Sequence, residues 1–429
     1  MRSLIYKSIY KIALPFKRLL VRIIPQAVRK RIKKAIIEKG YQNELESFSA
    51  APNVQSLGHF NGINLIGYSR AEMGIGESCR IAAKSIESTS IEFAILNYVG
   101  TNSAKMSDTS WKHKEIREPE YNINIFHLNA EQMFEAYTHF GARLFENRYN
   151  IGFWHWELED FPEDWIDGFS YVNEVWVPSS FVANAVAMKS SKPVVRIPHA
   201  IEVKIENSRD RAYYDLPNDV FLFLTMYDMN SFQERKNPMG AIQSFKQSFA
   251  PDDMSVGLVV KINNASANRH DFKIIEQSVK GYSNIYVINK TLSRNDTNAL
   301  LAITDSFISL HRSEGFGLGL AEAMYLGKPA IGTNWSSTTD FMNTQNSCPV
   351  NYQLVSLGTN YGPYQAYQRW AEPEINHAAE YMRRLVADPC YYKQIAAEGE
   401  RYIKSELSPR AVGKLIEKRI SYIQRHFGG

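Results

Sequence analysis

The stretch Ser313-Glu314-Gly315-Phe316-Gly317-Leu318-Gly319-Leu320-Ala321-Glu322-Ala323-Met324 follows the apolar run from Ser306 to Leu310 and precedes Gly327. An apolar run, a glycine-rich break and a regular apolar segment, in that order, predict a strand, a tight turn and a helix. Three glycines at such a turn let backbone N–H groups come close to an anion, and the helix amino end adds a favourable dipole. A diphosphate suits that chemistry. Glu322 falls in the first turns of the helix, where its carboxylate can accept paired hydrogen bonds from vicinal ribose hydroxyls. Glu314, on the loop, reaches the group beyond the phosphates. A glycine-rich turn with two solvated glutamates would read the same way.

The same alternation extends in both directions. Upstream, strands are expected at Phe221 to Met226, Val256 to Ile262 and Ile285 to Ile288, and downstream at Ala330 to Gly332. Asn237-Pro238 caps a helix from Met239 to Phe249, and Ser293 with Asp296 resembles a capping box before Ala299 to Ile303. Before a polar break from Glu202 to Asn218, a first series of strands reads Asn61 to Gly67, Ile91 to Asn97, Asn122 to Leu128, Tyr149 to Trp154 and Glu174 to Val177. Helices such as Gly76 to Glu87 and Ala130 to Phe145 lie between most of them. Strands alternating with helices predict parallel sheets, and two series predict two doubly wound domains.

Ligands of open parallel sheets bind beyond the carboxyl ends of the strands. Arg235 and Lys236 come after the strand at Phe221, and Lys261 stands at the end of the strand at Val256. Three cations on one edge would neutralise the charge that develops on a diphosphate leaving group where no metal does so. In the first half, Gly67-Tyr68-Ser69-Arg70-Ala71-Glu72-Met73-Gly74-Ile75-Gly76-Glu77 follows a strand and opens a helix. Gly74 and Gly76 permit close backbone approach, and Arg70 or Glu77 is placed to reach substrate. Gly152-Phe153-Trp154-His155-Trp156-Glu157 ends another strand of that half. Trp154 and Trp156 are candidates to stack on a sugar face, and Glu157 to accept acceptor hydroxyls. A core aromatic strand competes with that reading. His127 and His311 are further candidates, the first more structural in character.

Glu314-x7-Glu322, the Arg235-Lys236 pair and the order of the two halves resemble the retaining GT-B glycosyltransferases of family 4, over nearly everything from residue 60 onward. The resemblance implies two Rossmann-like domains facing a cleft. It implies donor diphosphate held by cations matching Arg235 or Lys236 and Lys261, with the backbone of Gly315, Phe316 and Gly317 beside it. Ribose would be bound by Glu322, the donor sugar met by Glu314, and His155 would line the reaction centre. The family spaces its arginine and lysine several residues apart, whereas here they are adjacent, so whether Arg235 or Lys236 alone meets phosphate stays open. The implied activity is metal-independent sugar transfer with retention, from a nucleotide diphosphate donor to a hydroxyl of a glycan or lipid-linked acceptor in bacterial surface polysaccharide assembly. The nucleotide-sugar is a substrate, and neither cofactor nor metal is expected. A nucleotide-sugar 2-epimerase and a non-catalytic glycan-binding or membrane scaffold of the same fold are the alternatives.

Composition bounds these readings. The chain has 429 residues, 44% apolar and 22% charged, as ordinary globular proteins do, and three widely spaced cysteines, Cys79, Cys348 and Cys390, which form no metal-binding or disulfide pattern. Residues 1 to 40 carry 12 Lys or Arg against one acidic residue, leaving 37 basic and 44 acidic residues in the rest. The body is therefore no nucleic-acid binder by charge. At 100° per residue, Ile5, Ile9, Ile12, Phe16, Leu19 and Ile23 fall within about 80° of arc opposite Lys7, Lys11, Arg18 and Arg22. That pattern predicts a basic amphipathic helix lying on an anionic membrane surface, peripheral on the inner face of the plasma membrane. The expected organisation is an extension and linker at 1–50, an acceptor domain at 51–205, a donor domain at 206–405 and a closing helix at 406–429 that returns toward the first domain.

Overall fold

The computed structural model describes residues 62–100 and 104–427, with 2–13 and scattered positions between 16 and 40. The expected linker, and Arg18, Leu19 and Arg22 of the amphipathic face, lie outside the described residues.

Two six-stranded parallel sheets form the body. The first contains β1 (Ile63–Gly67), β2 (Phe93–Asn97), β3 (Ile123–His127), β4 (Tyr149–Phe153), β5 (Glu174–Val177) and β6 (Val194–Arg196), in the order β2-β1-β3-β4-β5-β6. The second contains β7 (Phe221–Asp228), β8 (Val256–Asn263), β9 (Ile285–Asn289), β10 (Ser306–Ser309), β11 (Ala330–Thr333) and β12 (Cys348–Val350), in the order β12-β11-β10-β7-β8-β9. Most inner strands are buried along their whole length, as runs such as Ile63-Asn64-Leu65-Ile66 require when helices cover both faces. Strand order reverses between β1 and β3 in one sheet and between β7 and β10 in the other, which opens a crevice at each carboxyl edge.

Register in the first sheet is set by a buried ladder of amides. Asn64 donates to Asn124 at 2.9 Å, and Asn124 to Asn150 at 2.8 Å. A slip of one residue would bury three amides without partners, so the ladder holds β1, β3 and β4 in line and brings Gly67 level with His127 at the far end.

The helix Pro409–Phe427 packs on the first domain, with Val412, Ile416, Ile420 and Ile423 buried against β1, β3 and the helix Gly74–Glu87. A β-hairpin, β13 (Tyr352–Ser356) with β14 (Arg369–Pro373), leaves the second domain and places Leu357, Tyr364 and Trp370 in the same apolar cluster as Trp156 and Phe161 of the first. Gln368 donates to the Asp160 carbonyl at 2.8 Å, so the hairpin clasps the first domain beyond β4.

Three departures from the sequence reading have physical causes. The single helix expected from Ala130 to Phe145 is broken at Gly141, whose φ of +80° ends Met133–Phe140 before a short turn Ala142–Phe145. The strands β6 and β12 are three residues long, too short to show a period. Of the hairpin strands, β13 is largely exposed, and β14 buries Trp370 and Ala371 side by side between charged residues, so neither shows an apolar alternation.

The amino-terminal helix spans Arg2–Ala13, with Ile5, Ile9 and Ile12 facing outward and Tyr6 packed against the first-domain core, which also takes in Ile36. Among the described residues no helix is long and apolar enough to cross a membrane.

Candidate functional site

At the carboxyl edge of the second sheet the chain folds charges onto one loop. After β7, the short helix Gln233–Lys236 ends at Asn237, whose left-handed backbone (φ +48°) lets its side chain cap Pro238–Ser248 and donate to the Leu310 carbonyl at 2.9 Å. This ties the Arg235-Lys236 segment to the end of β10. There the Glu314 carboxylate takes an ion pair from Lys236 and lies 3.4 Å from Arg235. Burial alone would raise the Glu314 carboxyl, but the two cations outweigh it and hold it down to about 2. Arg235 is buried, donates to the Ser313 carbonyl at 2.9 Å and sits 4.0 Å from Glu157 of the first domain. It therefore braces the loop, while Lys236 is the partly exposed cation of the pair.

Lys261 lies level with Met226 of β7 and bonds Asn263. Its burial lowers the ammonium to about 8, with Asp228 opposing. Glu322 is buried on the helix Leu318–Tyr325 and is paired with Arg294, which stands 3.6 Å from Glu77 of the first domain. The glycines of the loop are required by the chain itself. A side chain at Gly315 would come within 2.9 Å of the Trp156 carbonyl, and Gly317 has φ +97°. Phe316 is buried between Phe341 and His199.

At the carboxyl edge of the first sheet a cluster of neutral side chains lies beside the ion pairs that Arg70 makes with Glu115 and Arg80 with Glu77. His155, beyond β4, is partly exposed, and burial lowers its imidazole to about 4, so the ring is neutral near pH 7. Its Nε2 is 2.9 Å from Nε2 of His199 and 3.3 Å from the hydroxyl of Ser78. Gly74 opens the helix Gly74–Glu87 with free space on its Cα, so backbone is accessible there.

Several side chains expected to reach a ligand are engaged within the protein instead. Trp154 and Trp156 are fully buried, Trp154 against Phe161 and Phe169 and Trp156 against Trp165 and Tyr364, so neither presents a face to a sugar. The aromatic strand end is core. Gly76 is needed because a side chain would strike the Ala71 carbonyl at 2.2 Å, which is packing within the loop, not approach to a ligand. Arg70 is paired with Glu115, to which its Nε donates at 2.8 Å. His311 is buried, bonded at 3.1 Å to the Ser309 carbonyl. Glu157, partly exposed, accepts from the Tyr364 hydroxyl at 3.1 Å and so takes part in the contact between domains.

Sequence reasoning missed Arg294, Tyr364, His199 and Ser78. Arg294 directly follows the helix cap Ser293, and nothing in its spacing pairs it with Glu322. His199 follows Pro198 just after β6, so the unrecognised strand concealed a strand-end histidine.

Residues 224–347 match the family described as glycosyl transferases group 1. No curated protein matches the chain by sequence. Among solved structures, HepE of Anabaena in complex with UDP and glucose is similar with a TM-score of 0.60 and 13% identity, over 85% of this chain and 100% of that one. A glycosyltransferase of Rickettsia africae gives 0.62 and 13%, over 86% and 100%. Sucrose-phosphate synthase of Thermosynechococcus elongatus gives 0.62 and 14%, over 85% and 99%. With two Rossmann-like parallel sheets meeting at their carboxyl edges, the chain has the GT-B fold of these glycosyltransferases and carries a glycosyl transferases group 1 segment across its second sheet.

Proposed function

We propose that the protein is a retaining glycosyltransferase of family 4 that moves a sugar from a nucleotide diphosphate donor to a hydroxyl of a glycan or lipid-linked acceptor, in the assembly of a bacterial surface polysaccharide. The observation that carries this reading is the placement of Lys236 and Glu314 in contact at the switch point of the second sheet, with the partly exposed, neutral His155 on the opposing edge. Lys236 and Lys261 meet the donor diphosphate, and Arg235 keeps the loop in shape. Glu322 exchanges Arg294 for the ribose hydroxyls, and Glu314 turns to the sugar as phosphate takes over Lys236. The acceptor oxygen bonds the anomeric carbon on the face from which the diphosphate oxygen departs. The acceptor proton passes to that departing oxygen, and configuration is retained. Two lysines and the amino end of Leu318–Tyr325 supply the positive charge that a metal supplies elsewhere, so transfer continues in excess chelator.

The test is a thermal-shift screen of UDP-, GDP-, ADP- and dTDP-sugars, beginning with UDP-glucose because HepE was solved with UDP and glucose. One donor class should raise the melting temperature in proportion to the logarithm of its concentration over its dissociation constant. Product NMR should then show the donor's anomeric configuration. No shift with any of the four at millimolar concentration would refute the donor site, and an inverted product would refute retention.

The exposed row Ile5, Ile9 and Ile12, on an arm with 12 basic residues and one acidic, supports peripheral binding to an anionic membrane surface on the cytoplasmic side. Removing residues 1–40 should release the protein from vesicles containing phosphatidylglycerol without altering donor affinity, and undiminished vesicle binding would contradict that role.

A further inference from the structure

Three histidines and a serine stand in a row at the carboxyl edge of the first sheet, and the transfer proposed above uses one of them. His127 ends β3, His155 follows β4, His199 follows β6, and Ser78 comes from the helix Gly74–Glu87. The Ser78 oxygen is 3.2 Å from Nδ1 of His127 and 3.3 Å from Nε2 of His155, and that nitrogen is 2.9 Å from Nε2 of His199. Phe153 stacks on His127 at 4.3 Å and on His199 at 5.4 Å, and Phe316 of the glycine loop meets the His199 ring edge-on at 5.0 Å. The row therefore touches the loop that carries Glu314.

The hydrogen bonds can run in one direction along this row. Nε2 of His127 is buried without a partner. A buried N–H left without an acceptor costs more than a bare lone pair, so the His127 proton sits on Nδ1 and is donated to Ser78. The one hydroxyl proton of Ser78 then points to Nε2 of His155, which must accept. At 2.9 Å from that same nitrogen, in a nearly coplanar ring, Nε2 of His199 has to be the donor of the shorter bond, and the Ser78 hydroxyl at 3.3 Å shares the one lone pair with it as the weaker arm of a three-centre bond. Burial keeps His127 and His199 neutral, so each has a single proton to place. Of the three rings His155 alone is partly exposed, and its remaining nitrogen, Nδ1, is the one left for a ligand.

We propose that His199 is a positioning residue: with Ser78 it directs two donors at Nε2 of His155, so the proton of that ring is fixed on Nδ1 and His155 meets the donor sugar as a neutral hydrogen-bond donor, not as a base. The kinetic consequence rests on the transferase reading, whereas the position of the proton does not. The decisive experiment is long-range proton–nitrogen correlation on the full chain with labelled histidine. The wild type should show His155 protonated at Nδ1. His199→Leu should shift it to a mixture of tautomers, and His199→Gln, which keeps a side-chain N–H donor, should restore it. Should His199→Leu fail to fold, Ser78→Ala must produce the same mixture through the other donor. A wild-type His155 protonated at Nε2, or a tautomer indifferent to both substitutions, would overturn the proposal. With UDP-glucose, His199→Leu should lower kcat for donor turnover about tenfold at unchanged donor affinity, with recovery in His199→Gln. Equal kcat in all three overturns the link to transfer. A wild type that turns over no nucleotide-sugar refutes the transferase reading and leaves the tautomer result standing.

Discussion

The two sheet edges that face each other across the crevice differ in the cluster at the centre of each. The second gathers Arg235, Lys236, Lys261, Glu314 and Glu322, all buried or partly so and mostly in ion pairs. The first gathers His127, His155, His199 and Ser78, joined by hydrogen bonds among neutral rings. Fixed cations suit a diphosphate whose charge grows as a bond breaks, and neutral donors suit sugar hydroxyls that never ionise. The division also explains why Glu157, a carboxylate on the side of the neutral cluster, is turned toward Tyr364 and Arg235 and takes part in domain contact.

The contrast breaks most severely at Arg235. Replacement by leucine leaves the Glu314 and Glu157 carboxylates near a buried gap where a cation stood, and unfolding measured in urea should show a loss of about 3–5 kcal/mol. A loss under 1 kcal/mol would mean that Arg235 is not the brace described. Lys236→Ala should leave the melting temperature within a few degrees yet weaken donor turnover about 100-fold in kcat/KM, the scale of one preorganised charge-stabilising group. Equal loss from His155→Gln in donor affinity would erase the distinction between the edges.

Acidity sharpens the same contrast. A bound diphosphate favours the charged form of Lys261 and so raises its pKa above the value of about 8 in the free protein. Donor affinity measured by calorimetry should therefore be complete below pH 8 and fall about tenfold per pH unit above it, until the raised value is reached. Lys261→Met should bind more weakly and lose that slope, while His155→Gln should keep it. The smallest effect belongs to Arg294, half-exposed and bridging Glu322 to Glu77 across the domains. Arg294→Gln frees Glu322 for the ribose proposed to bind it and should tighten UDP binding by no more than about fivefold, because the Arg294 end of the pair is half in water and holds the buried carboxylate only weakly. Weaker binding would make Arg294 a donor contact instead of a competitor.

How much of this could be read from the chain alone varies with how local each signal is. The strands, the glycine loop and the acids eight residues apart are local, since periodicity and turn chemistry act within a dozen residues, and the second-sheet edge was legible for that reason. Trp154 and Trp156 were misread because an aromatic at a strand end has the same pattern whether it meets a ligand or the core. Phe161, Trp165 and Phe169, which decide between the two, lie in an irregular turn and the 3-10 helix Glu163–Tyr171, whose return onto the strand end no apolar period announces. Arg294 and Glu322 are 28 positions apart, and His155 and His199 are 44 apart, so those pairings follow from sheet order, which periodicity does not reveal. The hairpin carrying Tyr364 lacks an apolar alternation, and its contact with Glu157 spans 207 positions.

The most direct test of the second-sheet edge as a diphosphate site is a crystal structure of the full chain with UDP. The expected result is a diphosphate within hydrogen-bond distance of Nζ of both Lys236 and Lys261, with the ribose on Glu322 and Arg294 displaced from it. A diphosphate bound elsewhere, with the Lys236–Glu314 and Arg294–Glu322 pairs unchanged, would contradict the account.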